Sequence, residues 1–206
     1  MKVKLCGFTE SASLLTAVNC GVDFLGFVFH QKSPRNISFE QAGKLSLLVP
    51  SSIKKVAVVV NPSLKLLHDI NLALQPQYFQ LHGQETIEQV LLIKNTFPTV
   101  KIIKAFSISE KEDLEQSLDF IDLADIFLFD NASGGSGKSF NFTFLQNFSC
   151  KKNWFLAGGL NSSNILEALK ITGAKMVDIS SGIEKKRGKK SPDLIIELMT
   201  KIKNVG

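Results

Sequence analysis

Short apolar segments recur along this chain about every 25 residues, the length of one strand, one helix and two turns in a β/α unit. They are VKLCG (3–7), DFLGFVF (23–29), KKVAVVV (54–60), QYFQLH (77–82), VKIIKAF (100–106), DIFLFD (125–130), NWFLAGG (153–159) and KMVDISSG (175–182). Several are almost continuously apolar, as strands covered on both faces of a parallel sheet must be. Between them lie segments with helical spacing: SASLLTAVNCG (11–21), SFEQAGKLSLLVP (38–50), SLKLLHDINLAL (63–74), ETIEQVLLIKNTF (85–97), EKEDLEQSLDFI (110–121), FTFLQNF (142–148), SSNILEALKITG (162–173) and SPDLIIELMTKIK (191–203). Their ends are punctuated by Ser63 after Pro62, by Gly173, and by Ser191 with Pro192 at the first helical position. The sixth is the shortest.

Eight alternating units predict an α/β fold closed into a single-domain (β/α)8 TIM barrel over residues 1–206. An open doubly wound sheet that binds a nucleotide would carry GxGxxG after its first strand, where this chain has CGFTES.

Composition narrows the setting. With 206 residues, 44% of them hydrophobic, the chain can bury one sizeable core. It shows no signal-peptide pattern and no apolar run of membrane-spanning length, so no membrane partner is expected. Cys6, Cys20 and Cys150 are odd in number and far apart, which suits a reducing cytoplasm better than disulfides or a zinc site. The net charge of +5 has its densest cluster in EKKRGKK (184–190), which reads as a solvated loop because no aromatic residues interleave with it. Nucleic acid is therefore not expected as a partner, and a small anionic substrate accounts for a basic mouth equally well.

In such barrels the chemistry sits at the carboxyl ends of the strands. Here those ends bring Cys6, the loop HQKSPR with Arg35, His82, Asp130, the Gly158–Gly159 pair, and Ser180–Ser181. Glycine-bearing ends after the seventh and eighth strands form the usual phosphate site, because bare backbone amides approach an anion closely. A further glycine-rich stretch around Gly135 could fold over the same ligand; it lacks the leading glycine of GxxxxGK[ST] and is no P-loop. Arg35 stands just outside the second strand, where its planar fork suits a carboxylate. Alternation puts Lys2, Lys4 and Cys6 on one face of the first strand, and Met176, Asp178 and Ser180 on one face of the eighth. Closure makes those strands neighbours, so Lys4 and Asp178 are expected to pair, with positive charge nearby favouring the Cys6 thiolate. Asp130, across the barrel, is the matching acid. His82 reads first as a hydrogen-bonded core histidine and second as a further proton-transfer group.

With KLCG, KSPR, GGSGK, AGGLN and VDISSG in this order, the chain resembles the phosphoribosylanthranilate isomerase family over nearly its whole length. The resemblance implies an Amadori rearrangement of N-(5-phosphoribosyl)anthranilate in tryptophan biosynthesis, with neither metal nor organic cofactor, by a monomer or homodimer. It places the general acid on Asp130, the general base on Cys6, and the anthranilate carboxylate on Arg35. The substrate-contacting set is then Arg35, His82, Gly135, Gly158, Gly159, Asp178, Ser180 and Ser181. Asn36, where an aromatic is common, and the basic EKKRGKKSPD segment depart from the family pattern. A histidine-pathway isomerase would carry an aspartate in place of Cys6, and a ribulose-phosphate epimerase would need a His/Asp metal set. A phosphate-binding protein on an inactive barrel would have no use for Cys6 together with Asp130.

Overall fold

The computed structural model describes residues 1–131, 142–146 and 148–204. Eight parallel strands close into a barrel in chain order: β1 (Lys2–Cys6), β2 (Phe24–Val28), β3 (Lys54–Val59), β4 (Tyr78–Leu81), β5 (Lys101–Ile108), β6 (Ile126–Asn131), β7 (Asn153–Leu156) and β8 (Met176–Ile179). Each of the eight apolar segments holds one of them, and β8 returns to pair with β1, Lys4 opposite Asp178. The expected (β/α)8 barrel is the fold observed.

Around it run α1 (Ser11–Asn19), α2 (Phe39–Ser46), α3 (Leu64–Leu74), α4 (Ile87–Thr96), α5 (Glu112–Ser117), α6 (Ile165–Thr172) and α7 (Pro192–Lys203). The Ser63 hydroxyl caps α3 on the Leu66 amide, and Thr86 with Gln89 forms a capping box on α4. Gly173 ends α6 in the left-handed conformation. Pro192 opens α7, but the Ser191 side chain makes no capping bond. The sixth helical pattern does not give an α-helix. Phe142–Leu145 forms a 3-10 turn that buries Phe142 and Leu145, three apart, as an eclipsed 3-10 spacing favours.

The core has two parts. Alternation sends Val3 and Leu5 outward into the large layer between strands and helices, while Cys6, Val58, Ala105 and Leu128 belong to a smaller cluster inside the barrel. Phe24 packs edge-on against Tyr78 and Phe155, at 5.6 and 5.2 Å, and fills the amino-terminal part of the interior. The opposite end is left to polar side chains.

Between these ends lies a buried ion pair: Lys4 Nζ donates to Asp178 Oδ2 at 2.8 Å, and none of the lysine side chain is exposed. Breaking such a pair from one side leaves an uncompensated charge, so Lys4→Met is expected to lower unfolding free energy by about 3–5 kcal/mol in urea titrations. The double variant Lys4→Met/Asp178→Asn is expected to lose less, because no net charge is then buried.

Candidate active site

At the carboxyl end of the barrel a cavity of ≈ 300 Å³ is lined by Cys6, Arg35, Gln80, His82, Asp130, Asp178, Ser180 and Arg187 above the apolar floor of Val28 and Val58. A larger cleft of ≈ 490 Å³ lies beside it, under Phe29, Phe39 and Leu66. That cleft is mainly apolar and holds neither Cys6 nor Asp130, so the smaller cavity is the one with the chemistry.

Cys6 is 6% exposed at the end of β1. Its sulfur has room because the facing residue on β2 is Gly26, where a Cβ would come within 2.5 Å of Sγ. The carbonyl of Cys6 accepts from the Ser180 hydroxyl at 3.1 Å, which ties β1 to the end of β8. Burial pushes the Cys6 thiol above its ordinary value; Lys4 and Lys190 pull it down, Asp178 pushes it further up, and the net direction is upward. The neighbouring cations act in the expected direction, towards the thiolate, but desolvation outweighs them. The Lys4 ammonium feels burial first, which lowers its pKa, but Asp178 and Cys6 outweigh it and the net shift is upward. Lys4 stays charged.

Asp130 sits on β6, with Oδ1 accepting from the Asn131 amide at 2.8 Å. Its Oδ2 lies 3.5 Å from His82 Nε2. His82 is not a core histidine: its side chain is 26% exposed at the mouth, just past β4. The Gln80 amide nitrogen lies 2.9 Å from Nδ1, a contact that orients the ring with Nε2 facing Asp130. Gln80 was not foreseen, although its place in QYFQLH puts it on the same strand face as His82. Gln80 Oε1 and Asp178 Oδ1 are buried acceptors with no hydrogen-bond partner among the described residues. Both residues line the cavity, so both suit hydroxyl donors on a ligand.

Arg35 is not an exposed loop residue. It is 7% exposed, and its Nε and Nη2 donate to Glu184 Oε1 and Oε2 at 2.7 and 2.9 Å. Its stem crosses Gly7, which has φ +87° and where a Cβ would meet Arg35 Cδ at 2.7 Å. Only glycine meets both demands. The basic segment expected to be a solvated loop is an antiparallel hairpin, β9 (Glu184–Lys186) with β10 (Lys189–Lys190). Lys190 Nζ is buried, donating to Glu184 Oε1 at 2.8 Å and to the Ser180 carbonyl at 2.9 Å. Charge density alone hid the single acid that organises the cluster.

The glycine and serine ends after β7 and β8 come together through a bridge between Asn161 and Gly182. Gly158 and Gly159 both have positive φ, at 90° and 71°, and the Gly159 carbonyl is held by the Asn161 and Asn164 side chains. Among the described residues, the amides of Gly159 and Ser181 have no acceptor. Gly135 lies outside the described residues.

A closed barrel with a thiol, a carboxyl group, a histidine and an arginine converging at its carboxyl end defines the class as a (β/α)8-barrel enzyme. Residues 3–201 match the model of the family described as N-(5′-phosphoribosyl)anthranilate (PRA) isomerase, and the chain belongs to that family. It is 40% identical over 208 residues to the N-(5′-phosphoribosyl)anthranilate isomerase of Zymomonas mobilis subsp. mobilis, covering 98% of each chain. It is 38% identical over 204 residues to that of Parvibaculum lavamentivorans, covering 95% of this chain and 94% of the relative. Among solved structures, the phosphoribosylanthranilate isomerase of Thermotoga maritima superposes with TM-score 0.89 at 34% identity over 99% of both chains. Another, solved in complex with reduced 1-(o-carboxyphenylamino)-1-deoxyribulose 5-phosphate, gives 0.85 at 32% identity over 99% of both. Among the described residues no helix is long and apolar enough to cross a membrane, and no three His, Cys, Asp or Glu side chains gather as a metal site.

The Arg35–Glu184–Lys190 cluster also sets an acid limit on stability. Burial opposes ionisation of Glu184, but the Arg35 fork, Lys190 and the Gly188 amide outweigh it and bring its pKa from 4.5 down to about 2. A carboxylate depressed in the folded state contributes stability that is complete above pH 4.5 and is lost as pH falls towards 2. Glu184→Gln is expected to be less stable than wild type at neutral pH, with the gap closing across that acid window in urea titrations run at stepped pH.

Proposed function

We propose that this chain catalyses the Amadori rearrangement of N-(5′-phosphoribosyl)anthranilate to 1-(2-carboxyphenylamino)-1-deoxyribulose 5-phosphate, a step of tryptophan biosynthesis. The observation that carries this reading is one cavity bounded by both Cys6 and Asp130, with Arg35 among the residues that line it. Asp130 protonates the furanose ring oxygen and the C1′–O bond breaks, leaving a protonated Schiff base. The Cys6 thiolate then removes the C2′ proton to give an enolamine. Loss of the O2′ proton and protonation at C1′ complete the ketone, so the reaction is an isomerisation with no net gain or loss of protons.

The remaining residues bind and orient. Arg35 receives the anthranilate carboxylate, and Asp178 Oδ1 and Gln80 Oε1, buried without donors of their own, accept from sugar hydroxyls. The free amides of Gly159 and Ser181 receive the phosphate, supported by Gly158 and Ser180. The Ser180 hydroxyl donates to the Cys6 carbonyl, so its part in phosphate binding falls to its backbone. Gly135 belongs to the same proposed set. His82 Nε2, 3.5 Å from Asp130, is placed to return the proton Asp130 gives up. The free state of Cys6, Cys20 and Cys150 suits a cytoplasmic enzyme, acting as a monomer or homodimer on a small phosphorylated substrate and not on nucleic acid.

The loss of phosphoribosylanthranilate fluorescence tests this directly. Wild type is expected to turn the substrate over, and Cys6→Ser and Asp130→Asn each to lower kcat by about 10²-fold or more. Unchanged kcat in both variants would refute the assigned roles. In Asp130→Asn the acid no longer titrates, so residual kcat/KM is expected to climb with pH to and beyond 9.0, the ordinary thiol value that Cys6 exceeds. A flat profile there would remove Cys6 as the base.

A further inference from the structure

A guanidinium has two edges that can each take a carboxylate side by side: Nε with Nη2, and Nη1 with Nη2. In this barrel the first edge is already taken. Glu184 accepts from Nε at 2.7 Å and from Nη2 at 2.9 Å, with the Glu184 side chain only 4% exposed. Among the described residues Nη1 has no acceptor, and Arg35 lines the cavity that also holds Cys6 and Asp130.

The charges do not balance within this cluster, and Asp130, on the same cavity, is the further carboxyl group that acts on Arg35. Arg35 and Lys190 bring two positive charges and Glu184 one negative, and all three side chains are largely buried. The cluster therefore carries one net positive charge beside a cavity. A purely structural ion pair would cancel, since burying unbalanced charge is costly. Glu184 is shared between Arg35 and Lys190, so one positive charge is left over, and the open edge of Arg35 is a place for an anion in the cavity. Glu184 is itself fixed from a third side by the Gly188 amide at 3.1 Å. The stem of Arg35 lies across Gly7, which limits how the guanidinium can be placed.

We propose that Glu184 is a positioning residue that sets substrate specificity: it holds the Nε–Nη2 edge of Arg35 and so presents the Nη1–Nη2 edge to the substrate carboxylate. The proposal rests on the reading that Arg35 receives that carboxylate. Glu184 touches no reacting atom; it acts through Arg35. The hairpin of β9 and β10 thereby becomes part of substrate selection, although it carries none of the proton-transfer groups.

The experiment compares Glu184→Gln with wild type on phosphoribosylanthranilate and on N-(5-phosphoribosyl)aniline, which lacks the carboxylate. On the carboxylated substrate KM is expected to rise about tenfold, with kcat within about threefold of wild type. On the aniline analogue kcat/KM is expected to stay within about twofold, because the interaction lost was never made. In an Arg35→Met background the same substitution is expected to have no further effect on KM. Should the Gln variant fail to fold, Glu184→Asp keeps the charge, shortens the reach by one methylene, and is expected to show the same split between substrates. Equal losses on both substrates, or no loss on either, would overturn the proposal while wild-type turnover left the functional reading standing. Failure of wild type to convert phosphoribosylanthranilate would instead overturn the reading on which the proposal rests.

Discussion

An ammonium group with no exposed surface must meet an anion, and barrel closure decides which one. Lys4 on β1 stands opposite Asp178 on β8, and the pair closes at 2.8 Å. A one-residue slip of either strand would turn one of the two charges into the apolar layer under the helices, at a cost of several kcal/mol. The pair thus fixes the register of the seam, and the seam carries the site. Two residues beyond Lys4 is Cys6, and two beyond Asp178 is Ser180, whose hydroxyl holds the Cys6 carbonyl. Lys190 then holds the Ser180 carbonyl and brings the hairpin, Glu184 and Arg35 with it.

Periodicity made the frame legible. Strands buried on both faces need apolar residues at nearly every position, so each of the eight stood out, and alternation within VKLCG and KMVDISSG was enough to pair Lys4 with Asp178. The same alternation held Gln80, which passed unnoticed because a single glutamine in an apolar run looks like a tolerated exception. Its amide lies 2.9 Å from His82, and together they place the histidine beside Asp130. The sixth helical segment failed for the opposite reason. Its buried positions, Phe142 and Leu145, stand three apart, a spacing that a 3-10 turn serves as well as an α-helix.

The Arg35 clamp was not legible, because Arg35 lies in a loop and Glu184 on a hairpin outside the barrel, where no strand alternation or barrel register pairs them. In EKKRGKK five cations surround one acid, and the composition of the string describes the cations. The structure sorts them by position: Lys185, Lys186, Arg187 and Lys189 are exposed, whereas Glu184 and Lys190 face inward at the paired ends of the hairpin. A charge run is therefore a weak guide to solvation when it contains a turn, since a hairpin can bury its two ends and expose its tip.

The same sorting bears on how a buried thiol can act as a base. Cys6 lies near two ion pairs, Lys4 with Asp178 and Lys190 with Glu184. Lys4 and Asp178 act on it with opposite signs, and burial, the largest influence, leaves the thiol high. A thiol held high is a strong base once ionised but is seldom ionised in an empty cavity. In the proposed reaction, ring opening places a cationic imine in that cavity, and a positive charge nearby favours the thiolate against the pull of burial. Proton removal from C2′ would then be favoured after the ring has opened rather than before. The order of the two proton transfers would then follow from the charge that ring opening creates, which both acidifies the C2′ proton and favours the thiolate.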